Sequence, residues 1–254
     1  RSLLAPASNL QMDKQLSTIA VDLTPVLPGG ENGGAKIFVL ELLNRLAEMA
    51  PQTQFVLLTQ AASHAELATM DRPNMRRLMV VGPVVVNGIR PGLMSLASRI
   101  LPHFPIRLRS VVSRLGYKLN TMLKRGGSGS LLRGMGVDLL FCPFTAPTYF
   151  EPEVPTVCTI YDLQFKTYPE LFAAEDAAHR ECAFIEACRR ATALTAISDY
   201  SRNSAIEHGS LDPARIRTIH LRMAQRIASG GERDKAILDR LGLSAQRYLI
   251  SPAN

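Results

Sequence analysis

The stretch Pro28–Leu46, PGGENGGAKIFVLELLNRL, decides how the rest of the chain is read. Four glycines, Gly29, Gly30, Gly33 and Gly34, crowd six positions ahead of a segment that alternates apolar and polar residues with helical period: Ile37, Leu40, Glu41, Leu43, Asn44 and Ala47. Pro51 closes that helix. Upstream, Ser17–Leu23 (STIAVDL) is a β-branched apolar run of the kind that forms a buried strand. The glycines therefore occupy a strand-to-helix loop. Two roles are open to them: N–H groups facing an anion at the helix N-terminus, or a tight turn that needs positive φ.

The same alternation continues outward. Thr53–Gln60 (TQFVLLTQ) reads as a second strand and RRLMVVGPVVV as a third, interrupted by Pro83, with a short helix at HAELATM between them. Asp138–Phe144, Pro155–Leu163, Ala191–Ser198 and Ile216–Leu221 read as four more strands. Helices fit between them, a long Ala-rich one at Ala173–Arg190 and another at Tyr200–His208 ending on Gly209 as a C-cap. Strands alternating with helices predict an α/β fold: a parallel sheet with helices on both faces.

The chain has 254 residues, 46% of them apolar, enough to bury a full core. Its net charge of +7 is unevenly spread. Arg72–Val137 holds twelve Lys/Arg and no Asp or Glu, whereas the remainder is net acidic. Such segregation predicts an anionic partner for one region. Within it, Ile106–Arg125 reads as an amphipathic helix, with Arg107, Arg114, Lys118 and Arg125 in a stripe beside an apolar face. That pattern suits an anionic membrane surface, and equally an ordinary core-packed helix with a solvated side. One Tyr and one Phe in all of Arg72–Val137 are poor provision for stacking bases, so nucleic acid is not an expected partner. GGSGS at 126–130 reads as a flexible hinge.

Several chemistries find no support. Gly30-x-x-Gly33 lacks the dinucleotide-binding spacing and no Gly-Lys-Ser/Thr follows it. The four cysteines and five histidines show no metal-ligand spacing, so no metal and no cofactor is expected. There is no G-x-S-x-G elbow. The cysteines fit a reducing, cytoplasmic setting, with attachment to the inner face of the plasma membrane if the basic helix binds lipid. No apolar run reaches the length of a spanning helix.

Two stretches place chemistry at strand ends. Asp162, in TIYDLQFKTYPELF, sits at the C-terminal end of a strand, where open α/β sheets bind ligands. It can accept a proton or hold a sugar hydroxyl, or cap the next turn. Ser198 and Ser201, in TAISDYSRNSAIEHG, sit at a helix start, either as caps or beside N–H groups open to an anion.

Taken in order, these pieces resemble the N-terminal half of a GT-B-fold retaining glycosyltransferase, of the family-4 kind related to bacterial mannosyl- and rhamnosyltransferases. The matching stretches are GGENGGAKIFVLELLNRL, DLLFCPF, TVCTIYDLQFKTYPELF, ATALTAISDYSRNSAIEHG, LDPARIRTIHL and LGLSAQRYLISPAN, across residues 17–254. The resemblance implies a Rossmann-like N-terminal domain over 17–230, with a basic insertion near 88–134. Residues 1–16 would be a linker or tag remnant. Residues 231–254 would be a linker helix and the first strand of a second domain whose remainder is missing. It implies sugar transfer from a nucleotide-sugar to a glycan or lipid-linked acceptor, as in polysaccharide or lipopolysaccharide synthesis, with retention and without a metal. Gly33 and Gly34 match the loop that meets the donor diphosphate. The family commonly has His-Asp where this chain has Tyr161-Asp162, and Asp162 keeps the family's position as the catalytic candidate. Tyr161, Ser198 and Ser201 fall with it as substrate-binding candidates. The alternative is a non-catalytic module of the same fold that holds a glycan or a protein.

Overall fold

The computed structural model describes residues 16–82, 131–221 and 239–243. The chain divides into two compact units, Arg1–His220 and Leu221–Asn254. In the second, only Leu221 and residues 239–243 are described. The basic candidates Arg107, Arg114, Lys118 and Arg125, the GGSGS hinge, residues 1–15 and the strand expected at 247–254 all lie outside the described residues.

In the first unit, β1 (Thr18–Asp22) leads through the glycine loop into α1 (Gly33–Met49), followed by β2 (Gln54–Gln60), the short α2 (Ala61–His64) and β3 (Met75–Val81). After residue 130 come α3 (Leu131–Gly134), β4 (Leu139–Cys142), β5 (Thr156–Ile160), the single-turn α4 (Gln164–Thr167) and α5 (Ala174–Arg190). The unit closes with β6 (Ala193–Ala196), α6 (Asp199–Gly209) and β7 (Ile216–Thr218). All seven strands pair in parallel, in the order β3-β2-β1-β4-β5-β6-β7. The parallel α/β sheet expected from the alternation, Rossmann-like as the resemblance implies, is therefore present.

Side chains along a strand point alternately to the two faces, and here both faces are covered. Ala20, Val56, Leu58, Leu140, Cys158 and Ile160 pack with Phe184, Ala187 and Ala205 on one side. Val21, Phe55 and Leu57 pack with Val39, Leu43 and Leu67 on the other. That is why the central strands, β1, β2 and β4, read as mainly apolar runs. Burying each of the larger side chains contributes about 1.5–3 kcal/mol.

Three local readings need correction. The buried face of α1 is Lys36, Val39, Leu43 and Ala47, while Ile37 is 42% exposed. Lys36 lies one turn ahead of Val39 on the same face, where its amine bonds the Leu27 and Gly29 carbonyls and Glu66. Gly209 is the last helical residue and not the cap; Ser210 takes the left-handed conformation at φ 48°. Glycine is needed at 209 for packing, because a Cβ there would lie 2.9 Å from Cys188 Sγ and 3.2 Å from Phe184 Cζ. The basic charge of Arg72–Val137 is also opposed in part. Arg72 pairs with Glu48, Arg77 with Asp71, and Arg133 with Glu151 and Glu153, acids supplied from outside that stretch.

Candidate functional site

The sheet reverses its winding between β1 and β4: β2 and β3 continue to one side of β1, and β4 to β7 to the other. Loops leaving the C-terminal ends of such strands diverge and leave a crevice. Here a cleft of about 620 Å³ opens there. It is lined by the loops after β1, β4 and β5 and by one face of α5.

The β1 side begins with Asp22, which is fully buried. Its Oδ1 accepts from Thr24 N–H at 3.1 Å and the Thr24 hydroxyl at 2.6 Å, and its Oδ2 accepts from Thr148 N–H at 2.9 Å. Burial raises its carboxyl above the ordinary 3.8, against these hydrogen bonds, which pull it down.

The glycine loop is held from beneath. Gly29 and Gly33 have φ of 67° and 52°, the left-handed region in which glycine carries no Cβ penalty. Lys36, 6% exposed, donates from Nζ to the carbonyls of Leu27 and Gly29 and to Glu66 Oε1. Gly29 N–H donates to Glu66 Oε2. Asn32 stands at the N-cap of α1 but makes no capping bond, since its Oδ1 accepts from Leu27 N–H at 2.6 Å. No acidic residue lies in the first turn. The opening N–H groups of a 17-residue helix thus carry no side-chain cap, beside a cleft lined by Asn32 and Ala35.

Gly34 behaves differently from Gly33. It has no positive φ, and a Cβ there would meet nothing within 4 Å. The fold itself gives no reason for glycine at 34, and the left-handed backbone requirement belongs to Gly33.

On the β4 side, Thr145 adopts φ 69°, an unusual value for a β-branched residue. Its hydroxyl donates to Thr159 O at 2.9 Å. Tyr149 is buried, donates to Val80 O at 3.1 Å, and has its phenol pushed up to about 12 by burial and then by the Asp22 charge.

At the end of β5, Tyr161 and Asp162 both line the cleft. Asp162 is exposed and its Oδ1 accepts from Gln164 N–H at 3.3 Å, a long contact that leaves most of the carboxylate open. The Tyr161 hydroxyl is buried with no hydrogen-bond partner among the described residues, and burial pushes the phenol up to about 12. Ser198 is the N-cap of α6: its Oγ accepts from Ser201 N–H at 3.1 Å. Ser201 is buried and donates its hydroxyl to Tyr161 O at 2.5 Å. Ser201 thus ties α6 to the β5 loop while Ser198 caps the helix, and neither lines the cleft. On α5, Asp176, His179 and Arg180 face it; Arg180 is braced by Asp176 at 2.9 Å and lies 5.3 Å from the Phe172 ring centre.

The structure therefore brings together Tyr161, Asp162 and the start of α1. Sequence reasoning missed Asp22, Lys36, Glu66, Thr148 and Arg180. Only Asp22 carried a signal, as an acid ending a buried strand like Asp162. Among the described residues no three His, Cys, Asp or Glu lie together as metal ligands, and no helix is long and apolar enough to cross a membrane.

No protein-family model matches the chain, and no curated protein matches it. Among solved structures it is similar to HepE of Anabaena in complex with UDP, at 14% identity and TM-score 0.48 over 89% of this chain and 50% of that one. A glycosyltransferase of Rickettsia africae is similar at 13% identity and TM-score 0.42, over 91% of this chain and 51% of that one. A UDP-GlcNAc 2-epimerase of Neisseria meningitidis bound to UDP-GlcNAc is similar at 9% identity and TM-score 0.39, over 80% and 45%. The chain spans about half the length of these structures. At such low identities and TM-scores the likeness says nothing of chemistry.

Proposed function

We propose that this chain supplies the acceptor side of a glycosyltransferase, which moves a sugar from a nucleotide-sugar to a glycan or lipid-linked hydroxyl with retention. One observation carries the reading: a helix start without a side-chain cap and an open carboxylate, Asp162, line one cleft at the switch point of a parallel sheet. Sugar transfer needs the leaving diphosphate stabilised as charge develops on it. Preorganised N–H donors do this without reorganising when the reaction occurs. Gly34, with open space where a side chain would stand, leaves room for a phosphate to approach the backbone. Asp162 orients the acceptor hydroxyl or the transferred sugar. The order of sequence motifs that resembles family-4 glycosyltransferases supports the same reading.

The test is a panel of nucleotide-sugars, UDP-glucose among them, incubated with the whole natural protein, measuring donor hydrolysis and transfer to glycan acceptors. Turnover with one donor supports the reading. Glycan binding without turnover of any donor would instead assign the chain to a non-catalytic binding module. Attachment of Arg107, Arg114, Lys118 and Arg125 to an anionic bilayer is a separate proposal, tested by salt-dependent co-sedimentation with anionic vesicles.

A further inference from the structure

We propose that Asp22 is a positioning residue, whose buried carboxylate holds residues 144–148 where Thr145 and Thr148 line the cleft and so sets the fit of the ligand bound there. The assignment rests on the glycosyltransferase reading only for the identity of that ligand.

Asp22 ends β1 and Thr148 follows β4, so their 2.9 Å bond spans the switch point between segments 126 residues apart in sequence. Both residues that donate to the carboxylate, Thr24 and Thr148, line the cleft, one on each wall. Asp22 is fully buried, and no cation pairs with it among the described residues. A buried carboxylate without a cation depends on its hydrogen bonds, so the loop is pinned by the group that most needs it. The loop in turn needs pinning. Thr145 at φ 69° persists only where its surroundings over-determine it, and its hydroxyl bond to Thr159 O is a further anchor of the loop.

Asparagine cannot replace this carboxylate. Oδ1 accepts from Thr24 and Oδ2 from Thr148 N–H, so an amide in either orientation sets an NH₂ against a donor. With its oxygen toward Thr24 the amide keeps both Thr24 donors, and its NH₂ then meets the Thr148 N–H, so the loop bond is the one lost. The unaltered protein offers a reading without any substitution, because the Thr148 amide proton reports directly on the carboxylate that it faces.

The experiment compares wild type, Asp22→Asn and Thr156→Val. Thr156 is buried in β5 and bonds Val154 O, so its loss destabilises the domain without touching the cleft. Amide exchange at Thr148 is expected to accelerate about tenfold in Asp22→Asn beyond any global change, and to follow only global stability in Thr156→Val. The KM for whichever nucleotide-sugar the panel identifies is expected to rise about tenfold in Asp22→Asn and to stay unchanged in Thr156→Val. If Asp22→Asn does not fold, the wild-type pH titration decides: the Asp22 carboxyl carbon and the Thr148 amide proton must share one midpoint. Exchange and KM in Asp22→Asn that match Thr156→Val, or a Thr148 amide that does not follow the Asp22 titration, would overturn the assignment. If no nucleotide-sugar is turned over by wild type, the glycosyltransferase reading fails, and the Thr148 exchange and titration still decide on Asp22.

Discussion

The Lys36 amine lies 2.6 Å from Glu66 Oε1, and together the two residues grip both polar groups of the Gly29 backbone. Lys36 takes the Gly29 carbonyl and Glu66 takes the Gly29 N–H, so the loop is held before any ligand arrives. Lys36→Met keeps the buried stem and removes three hydrogen bonds. Glu66 is 42% exposed and water solvates it once the amine is gone, whereas the Leu27 and Gly29 carbonyls lose their donor. The expected loss is about 1–3 kcal/mol in urea unfolding, with faster proteolysis in the glycine loop. Wild-type stability in Lys36→Met would show that the loop holds itself.

Glu66 also gives the loop an acid limb. Its carboxyl is held below the ordinary 4.5 by the Lys36 hydrogen bond first and the Gly29 N–H second. A carboxyl whose folded pKa is lowered contributes stability that is present above its unfolded value and lost as pH falls through the folded one. Stability of wild type should therefore decline as pH drops below about 4.5, and Glu66→Gln should show a shallower decline. The measurement is chemical denaturation across that window; parallel curves for the two proteins would refute the link.

Gly33 and Gly34 are expected to separate fold from function. Gly33→Ala forces a Cβ into the left-handed region and should cost about 1–2 kcal/mol. Gly34→Ala has free space and should keep or raise stability by up to about 1 kcal/mol. If the start of α1 meets a diphosphate, Gly34→Val nevertheless cuts transfer strongly by blocking the approach. Unchanged kinetics in Gly34→Val would leave the loop as a turn alone.

The sheet was legible because central parallel strands, buried on two faces, are largely apolar, as Phe55–Leu58 and Leu139–Cys142 are. The supports of the cleft were not legible, because their partners are remote in sequence. A lysine in the first turn of α1 reads as solvated until Glu66, thirty residues on, is seen beside it. Thr148 belongs to a stretch with no period, and its N–H gains meaning only from Asp22. Asp162 was legible, since its position depends only on the strand that precedes it. Gly209 misled because a glycine near a helix end fits a C-cap and a close packing contact equally well.

That packing contact makes its own prediction. A Cβ at 209 meets Cys188 Sγ at 2.9 Å, Leu211 Cγ at 3.1 Å and Phe184 Cζ at 3.2 Å, and none of the three is the far end of a long flexible chain. Cys188 and Phe184 belong to α5, so Gly209→Ala pushes α6 away from it. Overpacking of this kind costs about 1–3 kcal/mol. Thermal unfolding should show a clear fall for Gly209→Ala and a partial recovery when Cys188→Ala is added to make room. Wild-type melting of the single variant would mean that the helices part without strain.

Asp162 gives the most direct test of the cleft. Its carboxylate accepts from Gln164 N–H at 3.3 Å, at the start of a helix of only four residues, so the group is a weak cap. Asparagine retains an acceptor for that N–H and removes the charge. Stability of Asp162→Asn should therefore stay within about 0.5 kcal/mol of wild type, as for a surface substitution. If the carboxylate orients an acceptor hydroxyl or the transferred sugar, its loss should lower kcat/KM about 10- to 100-fold, since small misplacements of a bound reactant cost that much. The split between the two readouts separates the roles. Reduced turnover at constant melting temperature places Asp162 at the reacting groups; a large melting shift with retained specific activity makes it a structural cap.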